Sequence, residues 1–208
     1  MTESEGVIQY SLDFTPGPLP PDCDPATLFD WFRHCRDQQL IGQDGDRYDG
    51  YAYGNISLRM SRGFVISGTQ TGGKRTLHTG DLAWVLHVDG AKNQLRATGP
   101  TKPSSEAMTH GEVYQTLPQI NAVIHVHAPR LWQSAERLGL PTTDPAARYG
   151  TPAMAAAVRQ LLTVHPTGGV IAMGGHEDGI IAYGTDMDEA GAHLMFAVSQ
   201  AVERGEDA

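Results

Sequence analysis

"AVIHVHAP", residues 122–129, places two histidines one residue apart within an apolar run. In a β-strand, side chains two residues apart point to the same face of the sheet. The imidazoles of His125 and His127 would therefore reach one point in space, which is a suitable start for a site that binds zinc or a similar divalent ion. The alternative at this point is a pair of ordinary half-buried histidines.

A third histidine follows the apolar segment 168–175, within the stretch GGHEDG, residues 174–179. Glycines in this turn leave the side chain of His176 free to be aimed at the other two. Three histidine ligands leave a fourth position open, which is the pattern of catalytic zinc sites. A polar turn residue is the alternative. The adjacent Glu177 and Asp178 either add acid–base groups beside a cation or belong to a solvated turn.

The segment KPSSEAMTHGEVYQ, residues 102–115, predicts a helix with polar groups at its beginning. Ser104 and Ser105 either cap this helix or, together with its first amides, bind an anion such as phosphate. Glu106 either interacts favourably with the helix dipole or serves as a metal ligand or general base. His110 lies one turn later on the same face, where it is a spare ligand or forms a structural hydrogen bond.

Two glycine-containing turns supply further polar groups. Gly54-Asn55 precedes a predicted strand and Ser67-Gly68 follows another. Each pair is either a plain turn or part of an anion cradle built from amides and hydroxyls, together with the two serines of the helix start. Three cations near in sequence either add positive charge to such a cradle or are exposed side chains without a specific role: Lys74, Arg75 and Lys102.

Composition limits the class of protein. The 208 residues suffice for one domain with a hydrophobic core, and the formal net charge of −9 argues against a general binder of nucleic acid or anionic membranes. The run TPGPLPPDCDP contains too many prolines for a helix or a central strand. We therefore predict an N-terminal arm, 1–22, and a single domain, 23–208. Few cysteines, no apolar stretch of transmembrane length and no signal-peptide pattern together predict a cytoplasmic protein.

Hydrophobic periodicity predicts helices and strands in mixed order. Helices are expected from Pro25 to before Gly42 and over 105–117, 132–138, 152–164 and 188–203. Strands are expected over 55–60, 63–67, 82–88, 94–97 and 122–127, with two more within 168–175 and 179–184. This order predicts one α/β or α+β domain whose sheet is largely antiparallel or mixed.

Several motifs occur together in a recognisable order. GNIS-x-R is followed by a strand that ends in Ser-Gly, then PSSE-x3-H-x3-Y, AVIHVH, a later Gly-His, and a last helix that contains Glu-Ala. Over residues 25–203 the chain thus resembles the class II aldolase/adducin family. The resemblance implies an α/β, three-layer αβα fold around a mostly antiparallel central sheet, and usually a fourfold-symmetric homotetramer.

The resemblance also implies roles for particular residues. The three metal-binding histidines of the family match His125, His127 and His176, which implies a divalent metal, zinc in preference to manganese or cobalt. The glutamate that moves protons in the aldolases matches Glu106. The phosphate-binding residues match a set from the two turns and the helix start: Gly54, Asn55, Ser67, Gly68, Ser104 and Ser105.

These matches predict a metal-dependent lyase or isomerase of carbohydrate metabolism that acts through an enediolate on a small hydroxy-carbonyl substrate, phosphorylated or not. Aldol cleavage, epimerisation and dehydration share this chemistry, so the site itself does not select among them. The alternative is a non-catalytic, adducin-like assembly module, although adducin-type members lack the metal ligands. Two departures from the aldolases stand out, namely Glu177-Asp178 and a short segment after His127, in which Tyr149 does not clearly match the family's tyrosine acid.

Overall fold

The structure is a computed structural model that describes residues 6–203. Its strands are β1 Ser11–Pro16, β2 Gly42–Gln43, β3 Ala52–Tyr53, β4 Asn55–Arg59, β5 Phe64–Ser67, β6 Leu82–Asp89, β7 Gln94–Gly99, β8 Ala122–His127, β9 Gly169–Ala172 and β10 Gly179–Gly184. Its α-helices are α1 Ala26–Asp37, α2 Ala107–Thr116, α3 Pro129–Gln133, α4 Ala135–Leu138, α5 Pro152–Val164 and α6 Met187–Glu203. Within the described range, no helix is long and apolar enough to cross a membrane.

Eight strands form one sheet in the order β1-β7-β6-β5-β4-β8-β10-β9, while β2 and β3 form a separate short ladder. Neighbouring strands of the large sheet are antiparallel, except for the edge strand β1, which runs parallel to β7. Since β8 lies between β4 and β10, the strand that carries two of the candidate metal ligands is internal to the sheet.

Helices cover both faces of this sheet, as the alternation along β8 illustrates. Val123 belongs to a buried cluster with residues of α2 and α5, such as Val113 and Val158. Ile124 and Val126 belong to a second cluster, which contains residues of α1, α3, α4 and α6. The predicted three-layer αβα fold with a mostly antiparallel sheet is therefore confirmed.

Most predicted elements form close to their expected positions. Thr151, for example, caps α5 by accepting the amide of Met154 at 3.3 Å, directly before the proline that begins the helix. The N-terminal segment differs from expectation, because Ser11–Pro16 forms an edge strand that the sequence analysis did not predict. The division into an arm, 1–22, and one domain, 23–208, stays a prediction; residues 1–5 and 204–208 lie outside the described part.

Candidate active site

Two imidazoles project from the end of β8. His125 lies opposite Asn55 of β4 and Ile181 of β10, and His127 lies opposite Gly179. Because both histidines alternate with Ile124 and Val126, they point toward the layer of α2 and α5. Their side chains are almost fully buried, with residue exposures of 0% for His125 and 1% for His127.

The third imidazole comes from the turn between β9 and β10. The amide of His176 donates to the carbonyl of Met173, and the amide of Gly179 donates back to the carbonyl of His176. A β-carbon at Gly179 would lie 3.0 Å from Cγ of His176, so a glycine here lets the imidazole lie against the strand beside His127. His176 is only 3% exposed.

These three side chains meet at one point. The ring centroids are 4.8–5.2 Å apart, and one nitrogen of each ring lies within 4.8 Å of the others. His125 Nδ1 lies 3.1 Å from the carbonyl oxygen of Ile180, which can only accept, so this nitrogen carries the proton and Nε2 keeps its lone pair. Three clustered imidazoles fit a zinc-type ion.

Glu106 lies at the edge of the histidine cluster, directly before the first residue of α2. Its Oε1 is 3.7 Å from His176 Nδ1, and its Oε2 accepts the hydroxyl of Thr109 at 2.6 Å. The residue is only 1% exposed, and its charge, after burial, is the second cause that raises the pKa of Tyr10. A buried carboxylate held in this way beside an ion can take or give a proton.

His110 does not join the cluster. Its Nδ1 lies 2.7 Å from the hydroxyl of Ser57, which also contacts the Tyr114 hydroxyl at 2.7 Å. Burial lowers the pKa of His110 to about 3, so its imidazole is neutral at neutral pH. Of the two alternatives for His110, the structure therefore favours the structural hydrogen bond over a role as a metal ligand.

Four predicted anion-binding residues lie together where β4, β5 and the start of α2 meet. Asn55, Ser67, Ser104 and Ser105 are all buried. Ser67 accepts the amide of Ile56 with its hydroxyl and the amide of Ser104 with its carbonyl. Among residues 6–203, the side-chain oxygen of Asn55 has no hydrogen-bond partner. We call Asn55, Ser67, Ser104 and Ser105 the polar cradle.

The two glycines beside this cradle have structural reasons to be glycine. Gly54 has a φ of +76°, and a β-carbon there would lie 2.7 Å from Ile41. The amide of Gly68 donates to the carbonyl of Asp81 at 2.7 Å, and its assignment to the phosphate site stays a prediction. The ammonium group of Lys74 pairs with the buried carboxylate of Asp81 at 2.5 Å.

Part of the site was not predicted from the sequence. The segment 44–50, which we call the cover, packs against His127. The Tyr48 ring lies 4.5 Å from the His127 ring, and its hydroxyl donates to Asp178 at 2.6 Å. Arg47 stacks on Tyr48 and on Tyr53, with its guanidinium carbon 4.9 Å and 5.1 Å from the two ring centroids.

The two open alternatives for Glu177 and Asp178 receive different answers. Glu177 is exposed, as expected for a solvated turn. Asp178 is buried and holds the cover by accepting the Tyr48 hydroxyl. Tyr149 also lies at the site, with its ring 4.6 Å from that of His176, but its hydroxyl donates to the carbonyl of Val7.

Comparison with known proteins gives a family match over most of the chain. The family model described as "Class II Aldolase and Adducin N-terminal domain" matches residues 44–203. A methylthioribulose-1-phosphate dehydratase from Enterobacter sp. (strain 638) is 38% identical over 74 residues, which are 36% of this chain and 34% of that protein. The matched stretch thus covers only about a third of the length of that dehydratase.

Solved structures share the fold. An L-fuculose-1-phosphate aldolase from Thermus thermophilus superposes with a TM-score of 0.67 at 20% identity, covering 88% of this chain and 92% of that one. YgbL from Klebsiella pneumoniae, described as a putative aldolase/epimerase/decarboxylase, superposes with a TM-score of 0.61 at 19% identity, over 85% of each chain. At such low identities, the likeness concerns the fold alone.

Proposed function

Because this chain belongs to the class II aldolase and adducin family, we propose that it is a metal-dependent lyase or isomerase that acts on a small hydroxy-carbonyl compound through an enediolate. One observation carries the proposal. Three buried imidazoles converge, and the carboxylate of Glu106 lies 3.7 Å from one of them. Such an arrangement provides both a cation site and a proton-transfer group at the same point.

The proposed roles follow from this geometry. His125, His127 and His176 would hold a divalent ion, zinc in preference to manganese or cobalt, because three imidazoles suit zinc. When bound, such an ion supplies Lewis-acid stabilisation of negative charge on substrate oxygens. Glu106 moves the proton, and Thr109 orients the carboxylate by donating to its Oε2.

We further propose that the substrate is a sugar phosphate or a similar phosphorylated compound. The polar cradle offers the Ser67 hydroxyl of β5 and the Asn55 amide of β4 beside the serines at the beginning of α2, where the positive end of the helix dipole favours an anion. The dehydratase and the aldolase that resemble this chain are both named for a sugar 1-phosphate, which supports this substrate class. The site does not distinguish aldol cleavage from epimerisation, dehydration or decarboxylation.

The experiment that tests this function is a turnover assay of zinc-loaded protein against sugar phosphates, their unphosphorylated counterparts and hydroxy-keto acids. We expect turnover of a phosphorylated compound that a chelator abolishes and added zinc restores. Inorganic phosphate should compete with this substrate. Ser104→Ala should raise KM more than it lowers kcat, by roughly 10- to 100-fold, because it removes one hydrogen bond to a charged group.

Two outcomes would contradict the proposal. Turnover of unphosphorylated compounds only, without competition by phosphate, would assign the polar cradle to another anion. A protein that binds no metal and turns over no compound of the panel would instead favour the adducin-like assembly module. Ser61→Ala provides a matched control, because this serine lies in the connection between β4 and β5, at the opposite end of β4 from Asn55.

We also propose a homotetramer, as the family resemblance implies. Phe196 of α6 is 69% exposed and Val202 is 39% exposed, and a neighbouring subunit would cover such side chains. Light scattering of the purified protein should give four times the mass of one 22.4 kDa chain. A monomer at micromolar concentration that still turns over substrate would exclude a site shared between subunits.

A further inference from the structure

The third histidine of the cluster lies in a turn with little rigidity of its own. The stretch GGHEDG, 174–179, contains three glycines, and glycine restricts the backbone less than any other residue. His125 and His127, by contrast, belong to β8, which is internal to the large sheet. Because a metal site requires all three imidazoles to keep their positions, contacts from outside the turn have to fix His176.

The part of the chain that precedes α5 packs directly against this turn. The hydroxyl of Thr143 accepts the amide of Gly174 at 2.9 Å, and the amide of Tyr149 donates to the carbonyl of Gly175 at 3.3 Å. A β-carbon at Gly175 would overlap the carbonyl oxygen of Ala147, so the close approach requires glycine at this position. The turn is therefore shaped to receive this part of the chain.

Tyr149 places its ring against the imidazole of His176. The two ring centroids are 4.6 Å apart and the ring planes are inclined by 41°, which is within the range of favourable aromatic contacts. The same imidazole also lies close to the backbone at Gly179, where a β-carbon would be 3.0 Å from its Cγ. The tyrosine ring and this backbone together restrict the rotation of the imidazole.

The ring of Tyr149 is itself held in place. The residue is only 1% exposed, and its hydroxyl donates to the carbonyl of Val7 at 2.9 Å. Val7 precedes β1 and lies outside the residues that the family model matches, 44–203. Since the phenol proton is engaged in this hydrogen bond, the geometry favours a role of the ring in positioning over a role of the hydroxyl as an acid.

We propose that Tyr149 is a positioning residue, whose ring holds His176 in the orientation that the metal site requires. The proposal rests on the proposed metal site and assigns a role to a residue that neither binds the ion nor moves a proton. The ring carries this role, because the ring is the part of Tyr149 that contacts the imidazole. Its loss should misplace one ligand and leave His125 and His127 in their strand.

The test measures zinc affinity by competition with a chromogenic chelator, which requires no substrate. Tyr149→Leu removes the ring and should lower the affinity roughly 10- to 100-fold, the usual effect of losing a residue that orients a metal ligand. Tyr149→Phe keeps the ring and should bind zinc as tightly as wild type does. Cobalt-loaded Tyr149→Leu should also show a changed visible absorption spectrum, because this spectrum depends on ligand geometry.

Tyr183→Leu is the matched control for this change. Tyr183 is also 1% exposed, and its hydroxyl also donates to a backbone carbonyl, that of His165 at 2.8 Å. It lies opposite Val123, however, at the end of β10 that is far from His176. Tyr183→Leu should therefore lose stability in thermal unfolding but keep the wild-type zinc affinity. If Tyr149→Leu does not fold, Tyr149→Met, which fills the space with a flexible chain, should show the same loss of zinc affinity.

The possible outcomes separate this proposal from the metal site on which it rests. Wild-type zinc affinity in the variant without the ring, or an equal loss in Tyr183→Leu, would overturn the proposal and leave the metal site intact. An equal loss in Tyr149→Phe would assign the effect to the hydroxyl and would also contradict the role of the ring. Wild-type protein that binds no zinc would show that both the metal site and the proposal are wrong.

Discussion

His125→Ala is expected to remove most of a divalent ion that wild-type protein binds at about one equivalent per chain. The ion would be held by three imidazoles, and the remaining pair cannot by itself complete a zinc site of usual affinity. His125 is a suitable position to test, because its orientation is fixed by the hydrogen bond from Nδ1 to the Ile180 carbonyl and its burial is complete. Loss of one buried ligand should therefore not be compensated by a neighbouring group.

Elemental analysis after gel filtration in metal-free buffer measures this effect. The matched control is His87→Ala, which removes an exposed histidine of β6 and should keep the wild-type zinc content. Circular dichroism and urea denaturation of both variants would show whether the fold is retained. Native protein without metal, or unchanged metal content in His125→Ala, would contradict the metal site.

The histidine cluster could be predicted because its geometry is local. Alternation along a strand places His125 and His127 on one face whatever the rest of the fold is. Placing His176 beside them depends on the topology of the sheet, which periodicity does not predict. The family resemblance supplied this third ligand. Antiparallel pairing of β8 with β10 places the turn that contains His176 beside the end of β8.

The cover and β1 could not be predicted, because their positions depend on long-range contacts. QDGDRYDG, residues 43–50, has the composition of a surface turn, and nothing in it indicates that Tyr48 will reach Asp178, 130 positions later. Ser11–Pro16 pairs in parallel with β7, and its prolines suggested an arm. Pro16 is the last residue of this edge strand, a position that tolerates proline because its missing backbone N–H costs the sheet no interior hydrogen bond.

The same distinction applies to the backbone of Gly68 in the predicted phosphate site. A Ser-Gly turn after a strand predicts an available amide, but the amide of Gly68 is already bonded to the carbonyl of Asp81. That carbonyl is brought there by the pairing of β5 with β6, which the sequence motif does not encode. The cradle therefore relies on the hydroxyls and on the Asn55 amide rather than on this backbone amide.

Glu106→Gln is expected to lower kcat by roughly two to four orders of magnitude, which is the usual contribution of a positioned acid–base group. Glutamine has nearly the same shape and can accept the Thr109 hydroxyl with its amide oxygen, so the start of α2 and at least part of the metal affinity should persist. What glutamine cannot do is take or release a proton in the pH range of the reaction. The loss should therefore appear in kcat rather than in metal content.

The measurement combines steady-state kinetics on the substrate found in the panel with zinc content and thermal unfolding of the same preparations. Glu177→Gln is the matched control, because this exposed glutamate adjoins His176 in sequence and should leave turnover close to wild type. Thr109→Val should lower kcat less than Glu106→Gln does, since it removes only the hydrogen bond that orients the carboxylate. A Glu106→Gln protein with wild-type turnover would exclude this carboxylate from proton transfer. Asp178, the other buried carboxylate beside the histidines, would then be the next residue to replace.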